Sequence, residues 1–202
     1  MTRRSLIVAV SLLVTCVQPV GAAMLLKEGI RIGGEMSGYG GKDSMTAGTK
    51  QSTYGPAIGA FLNLGLGPLA VEPELLYHRL GSAYRYPGVT STDQLDYLQG
   101  SVFGRLSLGL FTVHAGPAIG FLIGARTAFE PGDTVDIKDH VNTFDPGVAG
   151  GLGLAFGFPG IGTLSLDFRA RIGLSSIVKV PAGAPDQDVK LNVISLLAGL
   201  AF

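Results

Sequence analysis

The feature that most constrains the fold is a two-residue alternation that separates apolar from charged side chains. It is clearest in residues 164–175, where Asp167, Arg169 and Arg171 share one face and the opposite face is continuously apolar. A strand points successive side chains to opposite faces, whereas a helix would scatter these three ions among the apolar residues. The alternation therefore predicts a strand with one apolar and one charged face.

The same alternation recurs along the chain, with more noise in three segments, and predicts eight strands in all. The other seven cover residues 30–36, 57–64, 69–78, 98–108, 111–126, 144–158 and 191–202. About 180 residues over eight strands leave about 22 for each strand and its connection. A strand that crosses a bilayer needs about 9–11 residues, so the spacing is sufficient for eight crossings.

The connections between these segments alternate between long and short. The long ones cover residues 38–53, 82–96, 127–143 and 176–190, and the short ones lie at 65–68, around Gly109 and at 157–162. Bacterial outer-membrane barrels have an even number of strands, short periplasmic turns and longer outer loops. With eight strands, both chain ends lie on the periplasmic side, and the four long connections all fall on the outer side.

Helical and soluble alternatives fit the pattern less well. The stretch between Asp145 and Asp167 is uncharged, but it holds seven glycines and Pro159. In a helix, Gly costs about 1 kcal/mol and Pro about 3 kcal/mol relative to Ala. A continuous apolar face is expected where strands face lipid, and in hydrocarbon only a closed barrel satisfies every backbone group of its strands. The predicted fold is all-β, an eight-stranded antiparallel transmembrane up-and-down β-barrel.

The composition agrees with a lipid-facing surface. Of 202 residues, 47% are hydrophobic and only 15% are charged, whereas about 25% are charged in an average soluble domain. The formal net charge is zero. With no excess of basic residues, nucleic acid is not an expected partner.

The N-terminus has the pattern of a secretory signal peptide. Arg3 and Arg4 precede an apolar run over residues 6–17, and small residues follow at 20–23. We therefore predict a signal peptide over residues 1–22 and a barrel over residues 23–202. Cys16 is the only cysteine and lies within the signal peptide, so no disulfide is expected in the exported chain.

Four segments resemble the outer-membrane β-barrel domain family, which includes PorT-like and porin-family small barrels. They are Glu72-Pro73-Glu74-Leu75-Leu76-Tyr77, Asp96-Tyr97-Leu98, Asp145-Pro146-Gly147 with Gly151-Leu152-Gly153, and residues 168–174. The resemblance covers essentially the whole exported chain and implies a Gram-negative outer-membrane location. These motifs are structural and bring no catalytic residue with them.

The C-terminus resembles a signal for barrel assembly. Phe202 is the last residue, and apolar residues precede it at alternate positions. The resemblance implies that the barrel-assembly machinery binds this segment during biogenesis. Outer-membrane lipid is the second expected partner.

Ten ionisable side chains are predicted to face the lumen, five basic and five acidic. They are Arg31, Arg105, Arg126, Arg169 and Arg171 against Glu35, Glu72, Glu74, Asp145 and Asp167. An eight-stranded barrel is just wide enough for side chains to fill it, so balanced charge indicates a paired network that plugs the lumen. The alternative is a narrow porin-like channel. Glu72 and Glu74 either share a proton or are held ionised by arginines across the lumen.

The expected role is that of a closed barrel with a structural, adhesive or partner-binding function through its long outer loops. A lipid-modifying enzyme is a further alternative, because His78 and Ser82 lie near the predicted outer rim. No third residue is evident that would orient such a pair, so an enzyme is not expected. No cofactor or metal is expected. The acidic connection at 127–143 could bind a surface ligand or could be simply solvated.

Overall fold

A computed structural model describes residues 25–42, 49–179 and 188–202. The predicted signal peptide, residues 1–22, lies outside the described residues. The strands are β1 (Leu25–Lys42), β2 (Thr49–Leu66), β3 (Leu69–Tyr86), β4 (Val89–Leu108), β5 (Phe111–Glu130), β6 (Thr134–Asp136), β7 (Phe144–Phe158), β8 (Gly162–Gly173) and β9 (Asp188–Ala201). Each of the eight predicted segments lies in or largely within a long strand, and β6 is an addition of three residues.

Eight of the strands close into an antiparallel ring. Each long strand pairs with the next along the chain, and β9 pairs back onto β1 from Gly29↔Ala201 to Lys42↔Asp188. The short β6 pairs only with the far end of β5 and lies outside the ring. The ring confirms the predicted barrel, in which every strand has two hydrogen-bonded neighbours.

The described residues contain a 3₁₀ helix, Lys138–His140, between β6 and β7. Within the described ranges, no helix is long and apolar enough to span a membrane.

One end of the barrel has the predicted short turns. Gly67, Gly109 and Gly160 lie there with φ of 65°, 67° and 77°. This left-handed conformation costs glycine little because it has no Cβ atom. Both described chain ends, Leu25 and Phe202, lie at the same end, as expected for an even number of strands.

Outward-facing side chains form an apolar band that begins at the short turns. Ile32, Leu152 and Phe111 are 61%, 62% and 66% exposed on this surface. At its outer end the band stops at the exposed side chains of Arg79 and Arg126, and Arg79 pairs with Asp96. We call this surface the apolar band, and the wall beyond it the outer extension.

The outer extension contains strands where the sequence analysis expected two of its four long loops, and residues 43–48 and 180–187 of the other two loops lie outside the described residues. The connection at 82–96 is wrong as a loop: β3 and β4 remain paired through Ser82↔Asp93 to Tyr86↔Val89, with only Pro87 and Gly88 between the strands. Residues 127–143 likewise begin as strand β5 and return through β6. Polar composition does not indicate a loop in these segments. Strands that extend above the bilayer face water, so they no longer need an apolar outer face.

The interior of the outer extension is an apolar cluster, here called the outer core. It comprises Leu80, Leu95, Tyr97, Leu122, Ala125, Val141, Ile177, Val189, Leu191 and Val193. Val141 and Ile177 come from the connections that follow β5 and β8, and Val141 forms an isolated bridge with Val178. The described parts of these connections therefore place Val141 and Ile177 inside the outer extension.

Arg126 does not face the lumen, which corrects one predicted position. The β4–β5 register shifts from Tyr97↔Leu122 to Asp96↔Gly124, leaving Ile123 as an extra residue. A β-bulge of this kind reverses the inward and outward assignment of every later side chain. Ala125 is consequently buried and Arg126 is exposed.

Candidate functional site

Six charged side chains meet at the centre of the lumen and form what we call the central cluster. Alternation along β1, β3, β4 and β8 points all six inward, and each is at most 5% exposed. The cluster contains three guanidinium groups and three carboxyl groups, so its formal charges balance. Its members are Arg31, Arg105, Arg169, Glu72, Glu74 and Asp167.

Arg31 connects all three acids of the central cluster. Its Nη2 atom lies 3.1 Å from Glu72 Oε1 and 3.0 Å from Asp167 Oδ2. Its Nη1 atom donates to Glu74 Oε2. Arg31 therefore joins carboxylates from β3 and β8, on opposite sides of the ring from one another.

Arg105 and Arg169 complete the pairing from two other directions. Arg105 Nε lies 3.1 Å from Glu72 Oε2, and Arg105 Nη2 lies 3.1 Å from Asp167 Oδ2. Arg169 Nη1 donates to Glu74 Oε1 at 2.7 Å, and its Nε donates to His114 Nε2 at 3.0 Å. Buried ions are tolerated when they are paired and hydrogen-bonded in this way.

The geometry favours ion pairing over proton sharing at Glu72 and Glu74. Glu74 accepts hydrogen bonds from Arg31 and Arg169. Glu72 accepts from Arg31, Arg105 and the side-chain amide of Asn63, the last at 3.2 Å. Each glutamate thus has its own guanidinium partners.

Two smaller groups lie in the lumen on the outer side of the central cluster. Arg171 Nη2 donates to Asp145 Oδ2 at 2.7 Å. Glu35 contacts His78 Nδ1 at 2.8 Å and accepts from Ser195 Oγ at 2.7 Å. Glu35 is thus paired with His78 and not with one of the five arginines that the sequence analysis predicted in the lumen.

Two inward aromatic rings cover the faces of the central guanidinium groups. Arg31 Cζ lies 4.2 Å from the ring centroid of Phe61, and Arg169 Cζ lies 4.5 Å from that of Phe103. Such stacking is attractive because the ring face carries negative partial charge. Sequence alternation alone does not give these contacts, because they require the three-dimensional register of β1, β2, β4 and β8.

The arrangement of His78 and Ser82 does not form a nucleophilic site. Ser82 is buried, and its Oγ donates to the Gln51 carbonyl at 3.0 Å. Near His78 the carboxylate of Glu35 lies between the imidazole and the Ser195 hydroxyl, whereas an activated serine needs the base beside the hydroxyl. The described part of the chain holds no group of His, Cys, Asp and Glu side chains arranged to bind a metal.

Replacement of Arg169 by Ala should destabilise the barrel far more than replacement of Arg126. R169A leaves Glu74 short of a buried cationic partner, and breaking such a network costs about 3–5 kcal/mol. R126A removes an exposed side chain and should change stability by about 0.5 kcal/mol or less. Urea unfolding of both refolded variants in phospholipid vesicles measures the difference, and similar losses would contradict the assigned network.

Comparison with known proteins agrees with this architecture. The outer membrane protein beta-barrel domain family matches residues 26–179. Neisserial surface protein A is similar in structure, with a TM-score of 0.52 and 13% identity over 87% of this chain and 97% of that one. The Ail protein of Yersinia pestis has a TM-score of 0.48 and 15% identity over 89% of this chain and 100% of that one.

OprG of Pseudomonas aeruginosa has a TM-score of 0.45 and 12% identity over 90% of this chain and 98% of that one. No curated protein sequence matches the chain. The family match covers most of the chain, including seven of the eight strands that form the ring. The chain therefore belongs to the outer membrane protein β-barrel domain family and is located in the Gram-negative outer membrane.

Proposed function

We propose that this protein is a closed, non-enzymatic outer-membrane barrel that acts through its outer extension, in a structural, adhesive or partner-binding role. The observation that carries the proposal is the filling of the lumen at two successive levels. One level is ionic and lies within the apolar band. The other is the outer core, which lies beyond it.

The ionic level opposes conduction because its charges already satisfy one another. A permeating ion would have to displace Arg31, Arg105 or Arg169 from buried carboxylates. Leaving one buried partner uncompensated costs several kcal/mol. Stable pairing therefore supports a plug more than an ion path.

The apolar level provides a second barrier. Leu95 and Leu191 are fully buried at the centre of the outer core, and Val141 and Ile177 pack with them. A hydrated ion that entered this region would lose water to mainly apolar side chains, and the Asp93 carboxylate there already accepts from Tyr39 and Thr127. The two levels differ in chemistry, so a solute suited to one is unsuited to the other.

The tips of the outer extension offer a surface for a partner. Val89, Phe129 and Val135 are exposed there, far from the apolar band. Apolar side chains exposed to water at such a position commonly mark an interaction surface. They lie among the exposed acids Asp133 and Asp139, which favour a partner with both apolar and basic groups.

Single-channel recording in a planar bilayer tests closure. The refolded protein, shown to be folded by its heat-modifiable migration on gels, should give no reproducible conductance steps. Steps in the unmodified protein whose size changes in R169A would replace the closed barrel with the narrow channel. R126A is the matched control, because Arg126 lies outside the lumen.

The combined V89S, F129S and V135S variant tests the role of the tips. Cells that display it should lose adherence to epithelial cells, or lose cell–cell aggregation, while heat-modifiable migration stays unchanged. D133N with D139N tests the acidic part of the same surface and should also weaken adherence or aggregation. Unchanged adherence and aggregation in the apolar variant would contradict a partner-binding role for this surface.

A further inference from the structure

A vestibule of about 310 Å³ lies in the lumen between the central cluster and the periplasmic mouth. The central cluster closes its inner end, so it opens to the periplasm alone. Its volume is at the lower end of the range of ligand pockets, about 300–1,000 Å³. Its polar lining includes Lys27, Arg31, Arg105, Thr112, Thr163 and Ser165.

The lining side chains that remain available to a ligand carry mainly positive charge. Glu72 is its only lining acid among the described residues, and it already accepts from Arg31, Arg105 and Asn63. Lys27, near the mouth, has Thr163 Oγ1 at 3.1 Å as its partner. An ammonium group has three N–H donors, so Lys27 retains donors for a ligand.

Arg31 is a second basic group in the vestibule lining, and it is 1% exposed. Its guanidinium group is paired with the acids of the central cluster. The contacts that remain for a ligand therefore come from Lys27 and from the hydroxyl groups of the wall.

We propose that the vestibule binds a small organic anion from the periplasm through a carboxylate or phosphate group. Lys27 supplies the cation near the mouth, and the hydroxyl groups of Thr163, Thr112 and Ser165 supply neutral donors along the wall. The central cluster stops the anion from passing further. This function is separate from that of the outer extension, at the opposite end of the barrel.

Backbone amide NMR of the refolded protein in micelles tests the proposal, with acetate and inorganic phosphate as probes. At constant ionic strength set with sodium chloride, one or both probes should shift the amides of Thr112, Thr163 and Ser165 saturably. Response to acetate alone identifies a carboxylate site, and response to phosphate alone identifies a phosphate site. K27Q should weaken the apparent affinity about fivefold.

Three variants keep the test decisive. K27R should retain binding, and K190Q is a matched control because Lys190 lies in the outer extension, paired with Asp188. If K27Q does not fold, T163A should still weaken binding, because Thr163 positions the Lys27 ammonium group. Absence of saturable shifts in the unmodified protein, or equal affinity in K27Q, would overturn the proposal. Neither result would affect the closed lumen, which conductance tests separately.

Discussion

Charge compensation within a narrow lumen governs which side chains this barrel can hold. An apolar outer face commits every alternate side chain to the interior of the ring. In an eight-stranded barrel that interior is just wide enough to be filled, so inward ions must contact one another. Arg31 shows the result, because it reaches acids on both β3 and β8. The barrel thus accommodates inward charges that balance one another. The paired side chains also occupy the space that a channel would need.

The chain also reverses its interior chemistry along the barrel axis. Within the apolar band the interior is ionic, and in the outer extension it is mainly apolar, with a few polar groups such as Asp93 and Thr127 paired to one another. Both arrangements follow from the medium outside the wall. Strands that face lipid place their apolar side chains outward, whereas strands that face water, such as β3 near Leu80 and β4 near Leu95, bury them inward as a soluble barrel does. The two kinds of filling support the proposed closed lumen, the proposed role of the outer surface and the proposed vestibule at the other end.

The strands and most inward residues could be predicted because period-two alternation is strong wherever lipid covers one face. Alternation placed Asp167, Arg169 and Arg171 on one face without any knowledge of their partners. It failed at Arg126, because the bulge at Ile123 adds one residue without a break in the sequence pattern. It also failed at 82–96, where water on the outside removes the apolar outer face while strand pairing continues. Contacts such as Arg31 with Phe61 depend on the register across several strands, which one sequence does not specify.

The lumen charges act as one balanced unit. A double-mutant cycle of R105M and D167N in the refolded protein tests it most directly, since Arg105 Nη2 lies 3.1 Å from Asp167 Oδ2. Each single variant leaves buried charge uncompensated, whereas the double variant restores balance. In urea unfolding, the double variant should therefore lose less free energy of unfolding than the two single variants lose together, by about 1–3 kcal/mol. Additive losses would contradict a balanced network.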